Sequence, residues 1–299
     1  MKILITGGTG FIGIPVINTL IRNIDNVEIL NLTRNTLDSN SKQVENYKCD
    51  LSSPKTYLSR VEDFEPEVVI HLAWEGIPDF SLEMCNKNMF SSISFIEIVT
   101  KLKSCKKIIV TGSCFEYNNK IGICNEDVIT TPKDYFTFAK KTILTFLEFE
   151  CNKKNIEYNW ARLFYVYGPN QRSGSLIPTL IETLKSNKIP DLRTPKNAND
   201  FIHVDDVASG IFKMVSTKNK SGIYNLGSGL ATSVTEVSKI VEMQFYGKTN
   251  LTEALIEKTI NSEKSVDFYA DSQKSFKNLN WIPQIVLSNG IESIINKKM

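Results

Sequence analysis

Residues 2–13 read KILITGGTGFIG, an apolar run that leads directly into glycines spaced as G-x-x-G-x-x-G. The run KILIT has the length and the continuous apolar character of a strand buried in a parallel sheet. Glycine at Gly7, Gly10 and Gly13 permits a tight turn, a close approach of a pyrophosphate to the backbone, and close packing of the next helix against the strand. The stretch therefore predicts a strand, a phosphate-binding loop and a helix whose N-terminus faces a dinucleotide.

The alternation of short apolar runs and amphipathic stretches continues to about residue 165. We expect parallel strands at 2–6, 27–33, 47–49, 68–72, 107–111 and 158–163, and helices at 11–23, 81–103 and 138–153. This order predicts an α/β fold with a Rossmann-type doubly wound parallel sheet in residues 1–165. Shorter helices and isolated strands follow, and they predict a smaller C-terminal α/β lobe in residues 166–299 that partly returns to the first domain.

The composition excludes several classes of protein. Thirty-five Lys and Arg residues face 33 Asp and Glu, and the net charge of +2 is too balanced for a protein that binds nucleic acid through its phosphates. No apolar run approaches the ~20 residues of a membrane span and the N-terminus lacks a signal segment, so we expect a cytoplasmic protein. The six cysteines lack C-x-x-C spacing, which favours reduced thiols over disulfides or a metal site.

The end of the second predicted strand indicates which dinucleotide is bound. A carboxylate that binds the ribose is expected ~20 residues beyond the glycine loop, but Thr33 and Arg34 stand there instead. A neutral hydroxyl followed by a guanidinium suits a 2′-phosphate, so the sequence favours NADP. NAD stays possible if Asn31 or a backbone group holds an unphosphorylated ribose.

Several further motifs are distributed over most of the chain. Together with the glycine loop they resemble the extended short-chain dehydrogenase/reductase family of nucleotide-sugar epimerases, dehydratases and reductases. These motifs are CDL at 49–51, HLA at 71–73, TGS at 111–113 with Tyr117, Lys140, VYGP at 166–169, DFIHVDDVA at 200–208 and YNLGSG at 224–229.

The resemblance implies an NADP or NAD cofactor and a nucleoside-diphosphate sugar substrate, and it makes residues 166–299 mainly a substrate-binding lobe. The cofactor contacts that it implies are Gly7, Thr9, Gly10, Phe11, Ile12, Gly13, Thr33, Arg34, Asp50, Leu51, Leu72, Ala73, Trp74, Lys140 and Phe164. The substrate contacts that we expect are Glu75, Cys114, Tyr165, Arg172, Asn199 and Asn225. No metal ligand is implied, and helices 81–103 and 138–153 correspond to the usual homodimer face of the family.

Two positions depart from the family pattern in the expected substrate site. Tyr165 stands where the family commonly has Asn before Val-Tyr-Gly, and Asn199 stands where an Arg that binds phosphate commonly precedes Asp-Phe-Ile-His. Binding of the diphosphate must therefore recruit another cation, and Arg172 or Arg193 is the residue that we expect.

The catalytic residues expected from the resemblance are Ser113, Tyr135 and Lys140, but their spacing is irregular. The family pairs Tyr and Lys as Tyr-x-x-x-Lys because residues four apart share a helix face, and counting back four from Lys140 reaches Phe136. In the favoured interpretation, a local bulge or an extra turn at the helix start brings the Tyr135 phenol into place. In the second, Phe136 occupies the tyrosine position and Lys140, Ser113, Tyr165 or a water carries the proton. In the third, Lys141 pairs differently, the site is inactive and the protein only binds its ligands.

The residues around Ser113 limit the reactions that the protein could catalyse. A 4,6-dehydratase of this family has an Asp-Glu pair directly after the Ser or Thr, whereas Cys114 and Phe115 follow here. The histidines, His71 and His203, are expected to be structural, so proton chemistry falls to hydroxyls and Lys140. We therefore expect an NADPH-dependent 4-keto-reductase of a nucleoside-diphosphate deoxysugar in surface-polysaccharide biosynthesis. The alternatives are a nucleotide-sugar 4-epimerase with bound NAD, or a catalytically impaired protein that binds a sugar nucleotide or NADP.

Overall fold

A computed structural model describes residues 1–34, 41–117, 121–192, 194–258 and 267–298. Its strands are β1 (Lys2–Thr6), β2 (Glu28–Thr33), β3 (Val44–Lys48), β4 (Val68–His71), β5 (Lys107–Ser113), β6 (Ile121–Cys124), β7 (Glu157–Leu163), β8 (Tyr165–Tyr167), β9 (Ala198–His203), β10 (Gly222–Leu226), β11 (Ala231–Ser233) and β12 (Asp267–Ala270). Its helices are α1 (Gly13–Asn23), α2 (Leu58–Phe64), α3 (Leu82–Val99), α4 (Tyr135–Lys154), α5 (Leu176–Lys185), α6 (Val204–Ser216), α7 (Val234–Tyr246), α8 (Asn250–Lys258), α9 (Gln273–Leu279) and α10 (Leu287–Lys298).

Seven of the described strands form one parallel sheet in the order β10-β7-β5-β4-β1-β2-β3. The strand order reverses beside β1, because β2 and β3 lie on one side of it and β4 and β5 on the other. In open α/β sheets a ligand binds at such a switch point, outside the carboxyl ends of the strands. The predicted Rossmann-type sheet is therefore confirmed, and it places the glycine loop after β1 at the expected binding edge.

Alternate residues of β1 enter two different hydrophobic layers. Ile3 and Ile5 pack in one layer with Val16 of α1 and with residues of α6, whereas Leu4 packs in the other layer with residues of α2, α3 and α4. Each of these side chains is fully buried, and full burial of an Ile or Leu side chain stabilises a fold by about 1.5–3 kcal/mol. The near-continuous apolar sequence of the strand is explained by this burial on both faces.

A second sheet has the order β11-β9-β12-β6, and β8 pairs with β9. The sheets do not divide at residue 165, the expected domain boundary. Strand β6 precedes this residue but joins the second sheet, and β10 follows it but forms an edge of the first sheet. The chain therefore returns to the first sheet after residue 165.

Helix α4 begins at Tyr135, three residues before the predicted start. The carboxylate of Asp134 caps this start, accepting hydrogen bonds from the Thr137 N–H at 2.7 Å and from the Thr137 hydroxyl at 2.8 Å. The signal was present in the sequence, because an Asp three residues before a Thr can form such a cap. All six cysteines are buried and free, as expected. Within the described ranges, no helix combines the length and the apolarity needed to cross a bilayer.

Candidate active site

The glycine loop is shaped by close backbone contacts that exclude side chains. Gly7 has a φ of +76°, and a Cβ there would lie 2.8 Å from the Ala73 nitrogen. A Cβ at Gly13 would lie 2.2 Å from the Gly7 oxygen. No side chain caps α1 at its N-terminus, and its first turn holds no acidic residue. The helix therefore presents an uncompensated positive end to the loop, which fits the pyrophosphate of a dinucleotide.

A cavity of about 770 Å³ opens at the carboxyl ends of the strands. Its volume lies in the range of small-molecule binding sites. At one end it is lined by the glycine loop, by Thr33 and Arg34 after β2, and by residues 49–52 after β3; at the other end it is lined by Phe115, Tyr165, Arg172 and Phe201. The expected cofactor residues that the structure brings to this cavity are Gly7, Thr9, Gly10, Phe11, Ile12, Gly13, Thr33, Arg34, Asp50, Leu51, Leu72, Ala73 and Trp74, and the expected substrate residues are Glu75, Tyr165 and Arg172.

Besides Lys140, four expected binding residues do not line the cavity, which corrects the prediction that they contact a ligand. Asn225 is fully buried, and its amide donates to the Cys124 carbonyl and accepts from the Tyr117 hydroxyl, both at 2.8 Å. The other three are Asn199, which is buried within β9, and Cys114 and Phe164, which lie in the hydrophobic core. Arg193, one of the two expected cations for the diphosphate, lies outside the described residues.

Phe136, not Tyr135, shares the helix face with Lys140. Phe136 is buried, and the Lys140 Nζ lies 5.8 Å from the centroid of its ring. Tyr135 is 53% exposed and does not line the cavity. The Asp134 cap starts a regular helix at Tyr135, so the bulge that would swing its phenol inward does not form. This geometry corrects the favoured interpretation, in which the Tyr135 phenol enters the site. It agrees with the second interpretation, in which Phe136 occupies the tyrosine position.

Aromatic rings surround Phe136. Its ring centroid lies 5.1 Å from that of Trp74, 4.8 Å from that of Phe80 and 6.2 Å from that of Phe115. These three neighbours also line the cavity. Sequence reasoning missed Phe80 and did not assign Phe115 to the binding site, although Phe115 lies two residues beyond the end of β5, at the sheet edge where ligands bind.

Lys140 is deeply buried and does not itself line the cavity. Its ammonium donates a hydrogen bond to the Thr111 carbonyl at 2.9 Å. Burial lowers the pKa of Lys140 to about 8, and the Glu116 carboxylate opposes this shift. At neutral pH the ammonium form therefore still predominates.

Glu116 organises the residues around Ser113. Its carboxylate accepts hydrogen bonds from the Ser113 N–H at 2.7 Å, from the Trp160 indole at 3.0 Å and from the Arg162 guanidinium at 3.0 Å. The Ser113 hydroxyl accepts a hydrogen bond from the Phe115 N–H at 3.2 Å. Ser113 is thus held at the end of β5, but it does not line the cavity.

Both histidines have structural roles, as expected. The Ser92 hydroxyl donates to the Asn88 carbonyl, so it accepts from Nε2 of His71, and Nδ1 of His71 accepts from the Thr6 hydroxyl. Burial lowers the pKa of His71 to about 3, which keeps the ring neutral. His203 caps α6 by accepting a hydrogen bond from the Asp205 N–H.

Residues at the end of β2 and in the glycine loop determine which groups the cofactor ribose would contact. The Thr33 and Thr9 hydroxyls lie 3.2 Å apart, and no carboxylate stands at either position. The Asn31 amide accepts from the Gly8 N–H at 3.1 Å and donates to the Asn46 side chain at 2.8 Å. Asn31 therefore supports the loop and is fully buried, which removes it as the expected alternative ligand for an unphosphorylated ribose.

The chain is similar to known proteins over almost its whole length. The model of the NAD dependent epimerase/dehydratase family matches residues 3–227. The chain is 28% identical to the CDP-abequose synthase of Yersinia pseudotuberculosis, over 73% of this chain and 75% of that protein. It is 24% identical to the dTDP-4-dehydro-6-deoxyglucose reductase of Escherichia coli, over 98% of this chain and 96% of that protein. The solved UDP-glucuronic acid 4-epimerase of Bacillus cereus in complex with NAD superposes with a TM-score of 0.80 at 20% identity, over 99% of both chains.

Proposed function

Because the chain belongs to the NAD dependent epimerase/dehydratase family, we propose that it is an NADPH-dependent 4-keto-reductase of a nucleoside-diphosphate deoxysugar. The product would serve surface-polysaccharide biosynthesis. Residues 1–165 would carry the cofactor and residues 166–299 most of the substrate contacts. The name of the similar Escherichia coli protein, a dTDP-4-dehydro-6-deoxyglucose reductase, supports this class of substrate.

The glycine loop and the end of β2 support NADPH as the cofactor. Close contacts at Gly7 and the uncompensated end of α1 fit a pyrophosphate. The neutral pair of Thr9 and Thr33, followed by Arg34, suits a phosphorylated ribose better than an unmodified one. Bound NADPH supplies the hydride for the ketone carbon.

The observation that carries the choice of reductase over epimerase is the position of Phe136 beside Lys140. A 4-epimerase must first oxidise a sugar alcohol, which requires a base to take the hydroxyl proton. A phenol beside an ammonium has a lowered pKa and can be that base, but Phe136 has no hydroxyl. A reductase needs only a proton donor for the developing alkoxide, and protonated donors remain at this site.

Tyr165 is the residue that we propose as this donor. It lines the cavity, and its ring lies 5.8 Å from that of Phe115 and 5.8 Å from that of Phe201. Burial raises the pKa of Tyr165, so its phenol stays protonated at neutral pH and is available to donate the proton to the developing alkoxide. Lys140, which keeps its positive charge, would make the electrostatic potential of the surrounding site positive.

The aromatic side chains that line the cavity support a deoxysugar as the substrate and reduction, rather than dehydration, as the reaction. Phe80, Phe115 and Phe201 line the cavity, and an aromatic wall suits a methyl group better than a hydroxymethyl group. Cys114 is buried and Phe115 is apolar, so the acid and base required for dehydration are not supplied at these positions. Arg172 lines the same cavity and is the cation that we propose for the diphosphate.

The test supplies purified full-length protein with 4-keto sugar nucleotides, prepared by a separate 4,6-dehydratase, and follows the oxidation of NADPH. We expect NADPH to be consumed in proportion to the ketone reduced. The epimerase alternative predicts the opposite pattern: protein purified with bound NAD that interconverts two sugar nucleotides without added reductant. That result, or cofactor binding without turnover of any keto sugar, would contradict the proposal.

A further inference from the structure

Two cations from different parts of the fold meet on one carboxylate at the cofactor end of the cavity. Arg34 follows β2 and lies 2.6 Å from Oε2 of Glu75, measured from its Nη1 atom. Lys87 of α3 forms an ion pair with Oε1 of the same carboxylate. All three residues line the cavity. Arg34 and Lys87 thus form a fork of two cations around the Glu75 carboxylate.

The position of Glu75 is set by its backbone rather than by these ion pairs. The Asn88 side chain accepts a hydrogen bond from the Glu75 N–H at 2.9 Å and donates to the Glu75 carbonyl at 3.0 Å. Asn88 is buried and directly follows Lys87 in α3. The loop after β4 is thus tied to α3, and the Glu75 carboxylate is held beside Lys87 whether or not Arg34 engages it.

A second carboxylate lies near the fork. The pKa of Asp50 is lowered by hydrogen bonds from Ser52 and, to a smaller extent, by the charges of Lys87 and Arg34. Two cations are therefore balanced by two carboxylates in this part of the cavity. A ligand with further negative charge would have to displace a carboxylate from a cation to bind there.

We propose that Arg34 and Lys87 together form the binding site for the 2′-phosphate of NADP(H), and that Glu75 is the internal anion that this phosphate displaces. The fork lies directly after Thr33, where the adenosine ribose of a dinucleotide is expected. A guanidinium and an ammonium that converge on a carboxylate also suit a phosphate dianion, which offers more charge and more acceptor oxygens. This inference rests on NADPH being the cofactor of the proposed function, and it adds Lys87 and Glu75 as residues that determine the cofactor preference.

The test uses full-length protein and two small probes that differ at the 2′ position, adenosine 2′,5′-bisphosphate and adenosine 5′-monophosphate. Their dissociation constants are measured by calorimetry for the parent and for Lys87→Met, Glu75→Gln and Lys101→Met. Lys101 is the matched control, because it is an exposed lysine just beyond the same helix and pairs with Glu97 at 2.6 Å. Thermal unfolding checks that each variant is folded.

We expect Lys87→Met to weaken binding of the bisphosphate about tenfold while leaving the monophosphate unchanged, because a single charge-assisted contact to phosphate is lost. Glu75→Gln should tighten binding of the bisphosphate severalfold, since the phosphate no longer competes with an internal carboxylate. Lys101→Met should change neither constant.

Equal behaviour of Lys87→Met and Lys101→Met would overturn the inference, as would weaker bisphosphate binding in Glu75→Gln. A parent protein that binds the two probes equally well would overturn it too. These readouts need no sugar substrate, so they are separate from the reductase assay. If the 2′-phosphate site is present but no keto sugar is reduced, the inference stands and the proposed function fails.

Discussion

The ammonium of Lys140 lies 4.2 Å from the centroid of the Trp74 ring. Trp74 lines the cavity, whereas Lys140 does not. An aromatic face attracts a cation and replaces part of the hydration that the ammonium loses on burial. Lys140 therefore influences this site as a buried charge behind an aromatic wall, and the protons that a substrate exchanges must come from other groups.

Phe136→Tyr should place a phenol on the Lys140 face of α4 and lower the pKa of that phenol. The new base should raise the rate at which NADP⁺ oxidises the product alcohol by about tenfold or more. This increase is smaller than the rate enhancement that a general base usually gives. The measurement is kcat/KM in the oxidation direction at neutral pH. Tyr135→Phe is the control and should stay within about twofold of the parent. A large loss in Tyr135→Phe would restore Tyr135 as the proton donor.

Tyr165→Phe should remove the proposed proton donor while keeping the aromatic ring. We expect kcat for ketone reduction to fall about 100-fold, within the range for loss of a general acid, with a smaller change in KM. Binding of NADPH, followed separately by calorimetry, should be unchanged. A variant that keeps the parent kcat would show that another group or a water supplies the proton.

Lys140→Met should stabilise the fold at neutral pH. Burial lowers the pKa of Lys140 from 10.5 to about 8, so the unfolded chain holds this proton more tightly than the folded one. The resulting cost is fully present below pH 8 and disappears as the pH rises from about 8 to about 10.5. At pH 7 the variant should gain up to about 3 kcal/mol in unfolding free energy, reduced by about 1 kcal/mol for the lost hydrogen bond to Thr111.

The measurement for this variant is urea unfolding of the parent and of Lys140→Met at several pH values. The stability difference between the two proteins should shrink toward pH 10, because other titrating groups are common to both. A difference that is constant with pH would contradict the shifted ionisation of Lys140.

Gly7→Ala should weaken dinucleotide binding, because the added Cβ would lie 2.8 Å from the Ala73 nitrogen, at a φ of +76°. Gly247→Ala is a matched control with a φ of +62° and no atom within 4 Å of the added Cβ. Both variants should lose about 1–2 kcal/mol through the left-handed backbone. Only Gly7→Ala should lose further stability and weaken NADP⁺ binding more than tenfold, as measured by thermal unfolding and calorimetry.

A homodimer should form through α3 and α4, which pack against each other and leave Phe90 61% exposed and Phe149 63% exposed. We expect the parent to sediment as a dimer and the double variant Phe90→Ser, Phe149→Ser to sediment as a monomer, because apolar area is lost from the interface. Phe276→Ser alters an equally apolar exposed residue of α9 and should leave the dimer intact. A monomeric parent would contradict this prediction.

The catalytic region shows where sequence spacing was informative and where it was not. Counting four residues back from Lys140 identified Phe136 as its neighbour on the helix face, and the structure agrees. The expectation that Tyr135 would replace it depended on a bulge, and the Asp134 cap prevents that bulge. Spacing along the chain does not show where the helix starts, and the Asp134 cap fixes that start at Tyr135.

The sequence by itself determined the glycine loop, the alternation of strands and helices and the family, because each depends on residues close together in the chain. Only the tertiary structure decided that Asn225 is used up by internal hydrogen bonds, and that Arg34 and Lys87 meet on Glu75. Arg34 and Glu75 are 41 residues apart, and they meet because β2 and β4, the parallel strands on either side of β1, end at the same edge of the sheet. Such contacts follow from strand order, which no local pattern encodes.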